Sequence, residues 1–324
     1  MKKCAKRGRP ADAMRFRAWI ALAFAAAAAM SAPAAAEDPI AVVPYRIDYG
    51  SALTVAVTID GRGPYDFILD TGATLTLAFQ NLAAIAPFQP IGLGQRRVLG
   101  ISGSAMLDTY RIGDISVGGA ALPDHVGVIL QDWKAPRQTP AGIIGIDFLR
   151  QYAVVFDVRE KTMTLYAHGK IPKDRIDGWR SVKLQAETYA AASGALYAAK
   201  GKINRTPVNL IVDLGSATTM INYRAVESML PSIMTDDSAV GFTTGSRLKD
   251  VFDDRTRVRT ALLNRVQIGR KAWRSVPAWV HDAPIFDEIG VQDRPFGLLG
   301  ADLLIAQDLA LDFGEARLYI RRRP

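Results

Sequence analysis

Two short stretches of this chain carry the residues best suited to chemistry, Ile68-Leu69-Asp70-Thr71-Gly72-Ala73 and Ile211-Val212-Asp213-Leu214-Gly215-Ser216. In each, an apolar run of strand length delivers one aspartate to a turn that glycine makes tight. An unpaired buried carboxylate is costly, so this is a poor way to build a core. It is a good way to set two carboxylates face to face, where they share one proton and can act on a water as acid and base. Asp-Thr-Gly alone is ordinary turn chemistry, its side chains satisfying local amides. Here the turn appears twice in register, and each copy is followed by an apolar-apolar-Gly-x-Asp segment.

The elements that position these turns also repeat. A shift of 143 positions superposes Pro64, Ile68, Asp70 and Gly72 on Pro207, Ile211, Asp213 and Gly215. A shift of 155 superposes Gly142, Gly145, Asp147, Leu149 and Asp157 on Gly297, Gly300, Asp302, Leu304 and Asp312. Neither stretch is low in complexity, and the twelve-residue difference fits an insertion in the intervening loops. A duplicated unit implies pseudo-twofold packing with like elements meeting at the axis.

The pattern within each half is strand-rich. Leu53–Ile59 alternates and is β-branched, Asp60–Pro64 reads as a turn, and Tyr65–Leu69 returns to Asp70. A short helix is expected from Asn81 to Pro87, and a glycine-tipped hairpin from Val98 to Met106. Further strands are expected at Thr109–Val117 and His125–Leu130, then a proline-containing loop from Trp133 to Pro140. A hairpin of Ala153–Asp157 and Thr162–Tyr166 closes the half. The second half replays this with Leu196–Ile203, Val208–Val212, a helix at Ala225–Leu230, and strands near Thr256–Ile268 and Val276–Val280. Gly241–Gly245 is its candidate hairpin tip, and Leu309–Phe313 with Ala316–Ile320 its final hairpin. The expected division is a leader at 1–36, a first lobe at 37–168, a polar linker at 169–179 and a second lobe at 180–324.

Charge says little about partners. The chain has 40 basic and 32 acidic residues, a net +8. Residues 1–36 hold seven of the basic residues against Asp12 alone, so the remainder is nearly neutral at 33 against 31. That leader reads as a secretory signal: basic residues, an apolar run from Ala18 to Met30, then Ala34-Ala35-Ala36 before Glu37. The run is shorter than the roughly 20 residues a membrane span needs. An exported protein, periplasmic or secreted after cleavage near Ala36, is expected, with no stable membrane span thereafter. An uncleaved anchor is the rival reading, and Met14 is an alternative start. Cys4 is the only cysteine and precedes the apolar run, which leaves no disulfide, thiol nucleophile or cysteine metal site beyond it.

On the residues quoted above the chain resembles the aspartic peptidases of the pepsin and retropepsin type. Ile68-Leu69-Asp70-Thr71-Gly72-Ala73 matches that family's apolar-apolar-Asp-Thr/Ser-Gly-Ala/Ser signature, and Ile143-Ile144-Gly145 and Leu298-Leu299-Gly300 match its apolar-apolar-Gly element. The continuation Gly145-Ile146-Asp147-Phe148-Leu149 is most similar to bacterial retropepsin-like proteins fused as two copies. The resemblance spans nearly all of residues 45–320. It implies an all-β fold of two similar β-barrel lobes related by a pseudo-twofold, with a cleft between them. It also implies an endopeptidase in which Asp70 and Asp213 activate a water, without metal or cofactor. Thr71, Gly72, Ala73, Leu214, Gly215 and Ser216 would form the active-site turns. A flap comprising Gly100, Ile101, Ser102 and Gly103 would hold an extended peptide or unfolded protein strand to strand. A monomer with an intramolecular dyad is expected.

The departure is Leu214. In the family a Thr or Ser after each catalytic Asp bonds across the dyad; Thr71 can do so and Leu214 cannot, unless Ser216 or water compensates. Two alternatives therefore stay open: a catalytically weak or inactive peptide-binding protein of the same fold, and a homodimer using Asp70 from each chain. Other chemistries find little support. His125, His168 and His281 form no metal-spacing motif, and there is no Gly-x-Ser-x-Gly elbow or phosphate-binding loop. The basic residues from Arg247 to Arg274 are broken by Asp250, Asp253 and Asp254 and read as a solvated β surface rather than a nucleic-acid site. Trp133, Trp273 and Trp279 read as packing residues before cleft residues.

Overall fold

The computed structural model describes residues 38–322 apart from 50–51, 87, 101–102, 133–138, 189–193, 230–242 and 250–254, with backbone alone at 243–249 and 255–257. Alternating β-branched residues make β2 (Ala52–Ile59), which turns back into β3 (Arg62–Leu69). The turn is tighter than Asp60–Pro64. Asp60 and Gly61 both adopt positive φ, 48° and 72°, and Ile59 already pairs with Arg62. A two-residue turn of this hand matches the twist of the strands it joins, so Gly63 and Pro64 belong to β3. The second copy does likewise: Asn204, at φ 55°, turns β12 (Ala195–Ile203) into β13 (Thr206–Val212).

The first half continues through β4 (Leu77–Phe79), α1 (Gln80–Ala83), β5 (Gln89–Leu99), β6 (Ser104–Val117), β7 (Ala120–Leu130), β8 (Gly142–Ile144) and α2 (Ile146–Leu149). β1 (Ala41–Asp48) precedes these elements, and β9 (Ala153–Asp157) and β10 (Thr162–Tyr166) follow them. Pairing closes a ring in the order β2, β3, β8, β4, β7, β6 and back to β2. Within it β3–β8 and β4–β7 are parallel and the other pairs antiparallel.

After α3 (Lys173–Ile176) the second half supplies β11 (Arg180–Thr188), β14 (Met220–Ile221), α4 (Tyr223–Met229), β15 (Thr243–Lys249), β16 (Arg255–Ile268) and β17 (Lys271–Val280). Then come α5 (Pro284–Glu288), β18 (Phe296–Leu299), α6 (Ala301–Leu304), β19 (Leu309–Asp312) and β20 (Arg317–Ile320). The same ring forms from β12, β13, β18, β14, β17 and β16. The protein is thus all-β in plan, two like barrels in one chain.

A six-stranded antiparallel sheet joins the barrels in the order β1, β10, β9, β19, β20, β11. At its centre Val155 lies opposite Ala310. These two positions are related by the 155-residue shift, so the pseudo-twofold passes through this pair. The linker is not a free tether: Ile171, Ile176 and Trp179 pack with Ala153, Val155, Tyr166, Ala310 and Tyr319 of this sheet. The larger core runs through both barrels, from Leu53, Val55, Phe67 and Leu69 to Leu210, Val212, Leu263 and Leu299.

Two expectations need correction or fall outside view. Of the candidate tip Gly241–Gly245, Gly241 and Phe242 lie outside the described residues, and Thr243–Gly245 belong to a strand rather than a tip. β15 already starts at Thr243, pairs Lys249 with Arg255, and skips register between Thr244 and Ser246. Gly245 therefore marks a β-bulge, a position that glycine favours as much as it favours turns. Residues 133–138 of the expected loop and Ile101 and Ser102 of the flap lie outside the described residues. Among the described residues no helix is long and apolar enough to cross a membrane.

Candidate active site

β3 and β13 are buried at their ends, with Phe67, Ile68 and Leu69, and Leu210, Ile211 and Val212, at most 2% exposed. Each is fixed by the parallel strand beside it. Asp70 N–H donates to Ile144 O and Asp213 N–H to Leu299 O, both at 3.0 Å. The apolar-apolar-Gly segments are therefore the rails on which the two aspartates arrive.

Each turn then folds round its own carboxylate. Asp70 Oδ1 accepts from Gly72 N–H at 2.7 Å and Ala73 N–H at 3.0 Å. Asp213 Oδ1 accepts from Gly215 N–H at 2.9 Å and Ser216 N–H at 3.1 Å. The turns also face each other. A Cβ added to Gly72 would stand 2.7 Å from the Asp213 carboxylate, and one added to Gly215 would collide with that of Asp70. Glycine is required at both places because each backbone lies against the other lobe's acid.

The two carboxyl groups face each other, and burial raises the pKa of both above the ordinary value. Asp213 is raised the more, by its burial and by the Asp70 charge next to it. For Asp70, amide donation from Gly72 and Ala73 opposes the effect of burial. Two acids so close titrate jointly and retain one proton between them. Asp213 is 6% exposed and Asp70 is half-buried, so the site stays open on the Asp70 side.

The cross-brace is one-sided. Thr71 Oγ1 donates to Val212 O at 2.7 Å and accepts from Leu214 N–H at 2.9 Å, so one hydroxyl ties the first turn to the second. Leu214 is buried at 1% exposure and offers no hydroxyl in return. Ser216 does not stand in for it, because its Oγ donates to Thr218 O at 2.8 Å.

Behind each turn lies a support that sequence reasoning missed. Thr76 donates from N and Oγ1 to Asp147 Oδ1 at 2.9 and 2.6 Å, and its Oγ1 accepts from Gly145 N–H at 2.9 Å. In the second lobe Thr219 donates from N and Oγ1 to Asp302 Oδ1 at 3.0 and 2.9 Å and accepts from Gly300 N–H at 3.1 Å. Ile146 N–H to Ala73 O and Ala301 N–H to Ser216 O, at 2.7 and 2.8 Å, complete the link to the turns. Both aspartates belong to the Gly-x-Asp segments. Their threonine partners were detectable too, since the 143-residue shift puts Thr76 on Thr219. His125 adds a contact to this support in the first lobe, its Nε2 2.7 Å from Thr76 O.

The hairpin expected as a flap is present, with Leu99 paired to Ser104 and Gly100 N–H donating to Gly103 O at 2.8 Å. Val98 and Leu107, one on each arm, pack with Ala73, Leu75 and Tyr49 on the apolar group beside the Asp70 turn. Trp273 and Trp279 pack against the second lobe's cores. Where it is described, the basic stretch forms sheet: Arg265 lies opposite Arg274, and both are exposed. Among the described residues no three His, Cys, Asp or Glu side chains gather as metal ligands.

A family model described as aspartyl protease matches residues 55–148 and again 199–303, one match on each barrel. A search of curated proteins finds no match to the chain.

Proposed function

The chain belongs to the aspartyl protease family, and on that premise we propose that it is an endopeptidase whose dyad is Asp70 and Asp213 of one chain. The observation that carries the reading is the reciprocal seating of each carboxylate against the other lobe's glycine. One ionised and one protonated carboxyl hold a water between them. The ionised member takes a proton from that water while its oxygen attacks the peptide carbonyl carbon, and the protonated member hydrogen-bonds the developing oxyanion. The tetrahedral diol then collapses. A carboxyl proton passes to the amide nitrogen, the C–N bond breaks, and an acid and an amine leave.

The division of labour follows the environments. Asp213, the more buried of the two, is the resting acid; Asp70, partly exposed, is the base. The substrate is an extended or unfolded polypeptide, laid beneath the β5–β6 hairpin with its backbone paired to the flap. The protein acts as a monomer, because one chain supplies both carboxylates. Export, with cleavage near Ala36, is tested by sequencing the N-terminus of the mature protein.

The test of the reaction is hydrolysis of an unfolded protein from acidic to neutral pH, with and without pepstatin, by the wild type and by Asp70→Asn and Asp213→Asn. Pepstatin-sensitive cleavage lost in both variants is expected. Full activity in Asp213→Asn would refute the intramolecular dyad and favour pairing of Asp70 between chains. One observation favours a second reading: the missing hydroxyl at Leu214 fits a weak or inactive peptide binder. Saturable peptide binding without turnover would decide for it.

A further inference from the structure

One side chain ties the flap hairpin to the opposite lobe. Arg97 lies on β5 opposite Met106 on β6, two positions before the terminal Leu99–Ser104 pair. Its Nη1 is 2.5 Å from Glu288 Oε1. Glu288 ends α5, whose Phe286 is buried in a core cluster of the second lobe with Met220 and Leu298. Nε and Nη2 of the same guanidinium lie 3.4 Å from Ser104 Oγ on the other arm. A single planar fork therefore grips both arms of the hairpin and the facing lobe.

The hairpin's other anchorage is on its own side, through Val98 and Leu107 beside the Asp70 turn. Without the ion pair nothing described between residues 97 and 107 is bonded to the second lobe. The two charged side chains are 41% and 22% exposed, so water and salt compete for them. Such a pair is weak enough to open on thermal timescales and strong enough to bias where the hairpin rests.

We infer that Arg97 is a positioning residue, and that its pair with Glu288 is a clasp which holds the flap across the cleft, opens to admit polypeptide, and recloses over it. The clasp stands on geometry alone; only its effect on turnover rests on the peptidase reading. It commits the cleft to chains slender enough to lie under a tethered hairpin, which is an extended backbone rather than a folded loop.

The test combines amide hydrogen exchange of the hairpin in the unliganded protein with hydrolysis kinetics on an unfolded protein. Arg97→Gln, Arg97→Glu and the swap Arg97→Glu with Glu288→Arg are compared with the wild type. At low salt, amides at 97–99 and 104–107 should exchange about two- to fivefold faster in Arg97→Gln, the range expected for an exposed pair. The acceleration should be larger in Arg97→Glu, where like charges face each other, and absent in the swap. It should vanish in about 1 M NaCl, where the screening length is about 3 Å. kcat/KM should fall in the same order, mainly through KM, and recover in the swap, which loss of folding would not do.

Unchanged exchange in Arg97→Gln, or a swap that fails to restore it, overturns the clasp. Altered exchange beside unaltered kinetics in an active enzyme overturns its role in holding substrate. If the wild type hydrolyses nothing, the peptidase reading fails, while the exchange data still decide the clasp.

Discussion

At the scale of single residues, the dyad's cost is also its signature. A carboxyl whose folded pKa lies above its unfolded value binds its proton more tightly when folded. Its contribution to stability is full below the ordinary value of 3.8 and is lost as pH rises through the folded value. Asp213→Asn removes a group that is costly to ionise, so it should raise Tm near neutral pH while abolishing turnover. That gain should shrink as the pH approaches 3.8; a gain independent of pH would argue against a shared proton.

The brace residues make a paired prediction. Thr71→Val strips partners from two buried backbone groups, Val212 C=O and Leu214 N–H. At about 1–3 kcal/mol for each unsatisfied group, denaturant unfolding should show a loss of about 2–6 kcal/mol. Leu214→Thr supplies the missing mirror-image hydroxyl and should leave kcat unchanged or raised. A fall of tenfold or more in kcat would show that the buried leucine is part of how this site works. The need for a brace was readable from Thr71; the fate of Ser216, turned to Thr218 O, depended on a local turn that composition does not encode.

At the scale of elements, each half converges on one crossing, where β3 or β13 meets its parallel neighbour and the turn beyond is held by a Thr–Asp pair. Gly215→Ala should retain the fold by circular dichroism yet lower kcat by about 100-fold, since displacing a reacting group by about 1 Å has that effect. The displaced group would be Asp70, in the other lobe, so an enzyme that keeps its rate would refute the facing turns. The hairpins were legible because alternating apolar residues and Asp-Gly punctuation are local signals. Gly245 misled for the same reason: a glycine in a polar stretch looks alike whether it bends a strand or ends one. β17 was expected at Val276–Val280 and starts earlier, at Lys271, because cross-strand pairing with β16 carries polar residues that propensity alone leaves out.

At the scale of the molecule, the barrels are joined through backbone hydrogen bonds rather than by side-chain contact alone. β9 and β19 lie side by side at the middle of the six-stranded sheet, and the linker packs on that sheet. Separating the lobes would expose strand edges and break a continuous core. Calorimetry should therefore show one transition with equal calorimetric and van't Hoff enthalpies. Two resolved peaks would mean the halves fold independently and the joining sheet is marginal.

The sequence by itself determined that the chain is duplicated, β-rich, and built round two Asp-bearing turns, because repeat shifts, alternation and glycine placement are properties of local order along the chain. Only the tertiary structure decided that Asp70 and Asp213 face each other, that Thr76 and Thr219 seat Asp147 and Asp302, and that Arg97 reaches Glu288. Those pairings join residues 71 to 191 positions apart. No spacing rule acts over such separations; they follow from the closure of two barrels about one axis, which puts side chains within reach only after the whole chain has packed.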